Sequence, residues 1–116
     1  MSNSLLLFYG VLTFTLAHII VFFQINGQFI HPLFKKYQPL VIGLGLLISY
    51  LYIIGTKYIV TSMDGLFWPS RFIGFSIGII VYGFGVSLFF NEGINLKTAI
   101  SLVLCIIIIL IQVLWK

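Results

Sequence analysis

The chain reads as an all-α integral membrane protein with four transmembrane helices joined by short loops. Three observations carry that reading. Hydrophobic residues make up 61% of the 116 positions and charged residues only 7%, too little polar surface for a soluble domain of this size. The mean hydropathy is +1.22. The apolar residues are gathered into four runs, each near the ~20 residues that an α-helix needs to cross a bilayer.

Segment one is expected from about Leu5 to Phe23, opened by a cap at Asn3 or Ser4 and ended by the polar cluster Gln24, Asn26 and Gln28. No positive n-region or small-residue cleavage site precedes Gln24, so it reads as a retained span rather than a signal peptide. In the loop that follows, Pro32–Tyr37 is expected to form a short interfacial helix: proline suits a first turn, the lysines snorkel, and Phe and Tyr suit the headgroup zone.

Segment two is placed at 39–60, with Gly45 and Ser49 as a close-packing pair. Asp64-Gly65 signals a turn, and Trp68-Pro69 marks the next helix start. Segment three, 70–90, carries Ser70, Gly74 and Gly78 at four-residue spacing, a smooth groove on one helix face for a neighbouring helix. Gly83 and Gly85 flank Phe84 lower in the same helix and are expected to act as its hinge. Segment four, 96–115, is expected to be capped by Asn95 or Thr98 and anchored by Trp115-Lys116. The four segments form one transmembrane domain, 1–116, with no length left for a soluble catalytic domain.

The net charge is +4, but the six basic residues are scattered over loops and helix ends. That pattern anchors a protein at the lipid headgroups and gives no nucleic-acid surface. With both termini on one side, Lys35, Lys36 and Lys97 face Lys57, Arg71 and Lys116 across the membrane. The balance of three against three sets no orientation by the positive-inside rule, and it admits dual topology with antiparallel pairing. Four helices barely shield a path from lipid, so the expected functional unit is a homodimer or an assembly with other membrane subunits.

Candidate functional residues are few. His18 is the one ionisable residue deep inside a span, and an intramembrane ionisable group is a functional candidate by default. The plain alternative is a neutral histidine bonded to Thr15, one turn earlier. Arg71, just inside segment three, either snorkels or binds an anionic group. Tyr50 and Tyr82, with Tyr52 as a third, offer hydroxyls for a pocket lining, and Glu92 is expected in a turn. His31 has no partner at metal-ligand spacing, so neither metal nor cofactor is expected. No Ser/His/Asp set, carboxylate pair or phosphate loop is present, so the chain is not expected to be an enzyme.

The second half resembles the small four-helix branch of the drug/metabolite transporter superfamily, which includes the small multidrug resistance proteins. Trp68 opens a glycine-rich third helix. The helix ends in Leu88-Phe89-Phe90-Asn91-Glu92-Gly93-Ile94-Asn95-Leu96, similar to that family's junction before an aliphatic fourth helix, whose small-residue start is here Thr98, Ala99 and Ser101. The resemblance implies a four-helix transporter fold, alternating-access movement of a small or lipid-like solute, dimerisation, and a place in a bacterial inner (plasma) membrane. Three departures accompany it. Aligning Ala17-His18 with the family's Ala-Glu puts His18 where the membrane-embedded glutamate stands. The stretch from Trp68 to Glu92 is longer than the family's, and the fourth-helix glycine pair is replaced by Ser101 and Cys105. Without the carboxylate, the family's exchange of protons for cations lacks its binding group. His18 and Arg71 point instead to anions.

Overall fold

The computed structural model describes residues 2–115. Met1 and Lys116, and with Lys116 half of the expected terminal anchor, lie outside the described residues. Four helices are long and apolar enough to cross a membrane: α1 (Asn3–Asn26), α3 (Gln38–Ser62), α4 (Trp68–Phe89) and α5 (Leu96–Leu114). A one-turn helix, α2 (Leu33–Lys36), lies between α1 and α3. The protein is an all-α, multi-pass integral membrane protein. In a bilayer only a helix satisfies its own backbone polar groups within one segment, which is why each apolar run takes this form.

The helix ends refine the expected boundaries. Ser2, not Asn3 or Ser4, caps α1: its Oγ accepts the Leu5 N–H at 3.2 Å. The polar cluster after Phe23 continues the helix instead of ending it. The Asn26 amide donates back to the Phe22 carbonyl at 3.2 Å, and the Gln24 amide donates across to the Val41 carbonyl of α3 at 3.2 Å. The chain then makes one 3-10 turn at Gly27–Phe29. Gly27 is needed there because the Phe34 ring occupies the space a Cβ would take. The interfacial helix is shorter than expected, with the His31 Nδ1 accepting the Leu33 N–H at 3.2 Å at its start.

Asp64 and Gly65 make the expected turn, both with positive φ (57° and 85°). The Gly65 N–H donates to the Val60 carbonyl at 2.9 Å, which closes the C-terminus of α3. Pro39 and Pro69 lie in the first turns of α3 and α4, where no N–H is required. Asn95 caps α5, accepting the Thr98 N–H on its Oδ1 at 2.8 Å.

α1 is the centre of the packing. It runs antiparallel to α3, with Gly10 against Ile59 and Phe14 against Gly55, and parallel to α4, with Phe14 against Gly74 and Phe22 against Gly85. α5 packs on α4, and α3 meets α4 only sparsely. The lateral order is α3–α1–α4–α5, and the Cα envelope of 46 × 36 × 18 Å is a flattened array, not a square bundle.

Bulky residues of α1 sit where its neighbours are small. Phe14, 2% exposed, lies between Gly55 and Gly74, and a Cβ on either would stand 2.7 Å or 3.3 Å from its ring. The face formed by Ser70, Gly74 and Gly78 is therefore occupied by α1 of the same chain. This close approach of helix backbones replaces the hydrophobic effect, which is absent between helices in lipid. Ile59, Ile73 and Ile77 complete the core around Phe14. Gly45 and Ser49 do not serve as a packing pair: Ser49 is exposed, and Gly45 meets only the Gln24 amide.

Candidate functional site

A cavity of about 390 Å³ opens between α1, α3 and α4. Its floor is α1, through Phe14, His18 and Phe22. One wall is Tyr52 and Thr56 of α3; the other is α4 from Ser70 to Tyr82. The rim on α4 is a single helical stripe, Arg71, Phe75, Ile79 and Tyr82, all exposed. Because α3 and α4 meet so little directly, the cavity is a groove open on one side, between two helices of membrane-spanning length.

His18 lies at the middle of the groove floor, about 22 Å along α1 from Asn3 at ~1.5 Å per residue. The Tyr52 hydroxyl stands 3.2 Å from both of its ring nitrogens. The hydroxyl therefore donates to the bare nitrogen or accepts from the protonated one, whichever tautomer is present. The two rings meet edge to face, with centroids 5.4 Å apart. Gly78 makes room for the imidazole, since a Cβ there would lie 2.7 Å from its Cε1. The expected Thr15 partner is not used: the Thr15 hydroxyl donates to the Val11 carbonyl at 2.7 Å, a local bond that a β-hydroxyl readily makes within a helix.

Of the expected binding residues, His18, Arg71 and Tyr82 line the groove, while Tyr50 does not. Tyr50 is 59% exposed on the outer face of α3. Two residues along a helix turn a side chain by about 200°, so Tyr50 and Tyr52 cannot share a face, and of the two only Tyr52 lines the groove. The signal lay in the register of α3: Ile48, Tyr52, Gly55 and Ile59 fall on one face at four- and three-residue steps, and Ile48, Gly55 and Ile59 are buried.

Tyr82, at the far end of the groove, donates to the Oδ1 of buried Asn26 at 3.5 Å. Asn26 thus contacts the site instead of only solvating a helix end. Gly74 and Gly78 pack against Phe14 and His18 as expected of a close-packing face. Gly83 and Gly85 lie within an unbroken helix, Gly83 facing Leu102 of α5 and Gly85 facing Phe22. Arg71 is the one cation of the groove, and no carboxylate lines it. Among the described residues no group of three or more His, Cys, Asp or Glu side chains is placed to hold a metal ion.

Together these elements define a four-span membrane protein with a laterally open groove that has one imidazole on an otherwise apolar floor. Comparison of the chain with protein-family models, with curated proteins and with solved structures finds no match.

Proposed function

We propose that the chain is a small transporter of the drug/metabolite transporter type, moving a small or lipid-like solute by alternating access as a dimer in a bacterial inner membrane. The observation that carries this reading is the groove. His18, Tyr52, Arg71 and Tyr82 line one cavity within helices of membrane-spanning length. Polar groups gathered at such depth are costly, which favours a functional reason for them. In this reading a second copy packs on the outer face of α5, where only Cys105 is buried, and α4 changes its bend at Gly83–Gly85 as access alternates.

The test is flux. Full-length protein is purified, its stoichiometry is read by native mass spectrometry, and it is reconstituted in liposomes loaded with labelled organic anions or cations. A dimer that moves solute, with flux reduced at least tenfold by His18→Ala or Arg71→Gln, is the expected result. Solute retention equal to that of protein-free liposomes overturns the proposal. Tags at both termini report orientation, and a single orientation removes dual topology.

Two observations favour a second reading, an accessory subunit of a larger membrane complex. No acidic residue lines the groove to couple transport to cations, and only Cys105 of α5 is buried, which leaves that helix a broad face for another chain. Stoichiometric co-purification of other membrane chains from native membranes would support this alternative.

A further inference from the structure

We infer that the groove carries the anionic headgroup of a membrane lipid, with the acyl chains remaining in the bilayer beside α3 and α4. The inference rests on the transporter reading and names its substrate class. It follows from three features of the groove taken together.

The first is its side opening. A water-soluble solute needs a path closed to lipid, whereas a lipid head needs one open to it. The sparse meeting of α3 and α4 leaves the groove open on that side, and the rim between Arg71 and Tyr82 is apolar Phe75 and Ile79.

The second is the placement of polar groups along its length. Arg71, Ser70 and Thr56 lie at one end, His18 and Tyr52 in the middle, and Tyr82 with its partner Asn26 at the other. Arg71 to Tyr82 covers about 16 Å along α4 at ~1.5 Å per residue, roughly half of a ~30 Å hydrocarbon core. Hydroxyl, imidazole and amide groups therefore continue inward from the interface through the depth where a lipid head meets its barrier.

The third is charge. Arg71 is the sole charged side chain lining the groove, and a guanidinium suits phosphate geometry. At the loop-one end, Lys35 with Gln24, Gln28 and Gln38 lines a second, polar cavity of about 310 Å³. Neither cavity is lined by an acidic residue. A cation in each of the two cavities, with no carboxylate lining either, matches a phosphate-bearing head.

The experiment uses full-length protein in phosphatidylcholine vesicles holding a trace of tail-labelled fluorescent phosphatidylglycerol or, separately, phosphatidylcholine. A membrane-impermeant reductant bleaches whatever label reaches the outer leaflet. The expected result is bleaching of the inner-leaflet anionic probe at least tenfold faster than in protein-free vesicles, with the zwitterionic probe left at the protein-free rate. Arg71→Gln should remove the acceleration, Arg71→Lys should retain part of it, and Lys97→Gln, on α5, should leave it intact. Circular dichroism and monodispersity establish that each variant is folded.

Equal movement of both probes overturns the inference, as does acceleration that survives in folded Arg71→Gln. Movement of labelled inorganic phosphate with no movement of the phosphatidylglycerol probe also overturns it, because the groove would then take a soluble anion. A chain that moves neither lipid but does move a water-soluble solute loses this assignment and keeps the transporter reading. A chain that binds phosphatidylglycerol through Arg71 in native mass spectrometry, but moves nothing, loses both.

Discussion

The Tyr52 hydroxyl and the His18 imidazole, 34 residues apart in the chain, meet at 3.2 Å on the floor of the groove. This contact ties α1 to α3 and fixes the orientation of the one histidine held within a span. A side chain–side chain hydrogen bond between membrane helices contributes on average about 0.6 kcal/mol and at most about 1.7. Tyr52→Phe should lower stability by about 0.5–2 kcal/mol, because it also leaves the imidazole short of a partner. A double-mutant cycle of Tyr52→Phe with His18→Phe, followed by denaturation in mixed micelles, should show a coupling of about 0.5–1.5 kcal/mol. Additive effects would mean that the contact carries no energy.

Gly83 and Gly85 are two residues apart and should respond oppositely to alanine. A Cβ on Gly85 would lie 2.6 Å from the Phe22 ring, which is itself packed against Tyr82, Phe89 and Phe90 and cannot easily yield. Gly85→Ala should destabilise by about 1–3 kcal/mol, the usual cost of overpacking. At Gly83 the nearest atom is a Leu102 methyl at 3.6 Å, an ordinary contact. Gly83→Ala should stabilise the helix by up to about 1 kcal/mol and, where bending at this point is required, reduce transport. Thermal melting beside flux measurement separates the two effects.

Ser76 is fully buried in α4, and its hydroxyl has no hydrogen-bond partner among the described residues. Removing a buried hydroxyl that makes no bond relieves a desolvation cost. Ser76→Ala should therefore be neutral or stabilising by up to about 1 kcal/mol. A loss of more than that in a detergent melt would show that the hydroxyl has a partner in the membrane.

Asn95 supplies the side-chain cap of α5 and is exposed at the start of that helix. Asn95→Ala should cost about 0.5–2 kcal/mol, and Asn95→Ser should restore most of it. Hydrogen exchange at the Thr98 amide is the local measurement, with protection falling in the alanine variant and returning in the serine variant.

The sequence made the span pattern legible because apolar length is a strong signal and the bilayer leaves few alternatives. The Asp64-Gly65 turn and the Asn95 cap were equally readable, since each depends on chemistry within four residues. The boundary after Phe23 was not. Gln24 and Asn26 look like a helix end until their amides find the carbonyls of Val41 and Phe22, and one of those bonds is long-range. The site was half legible. His18 and Arg71 stand out as ionisable residues in an apolar chain, but the choice between Tyr50 and Tyr52 depends on which face of α3 meets α1. The hydrophobic pattern hides that, because nearly every position of a membrane helix is apolar.

The helix at the middle of the array is also the earliest of the four to be made. α1 leaves the ribosome before either neighbour exists, so His18 enters the membrane without Tyr52 and Phe14 without its two glycines. α3, its antiparallel neighbour, follows through the α2 linker before α4 is synthesised. The groove acquires its second wall only when Arg71 and the rest of α4 have inserted.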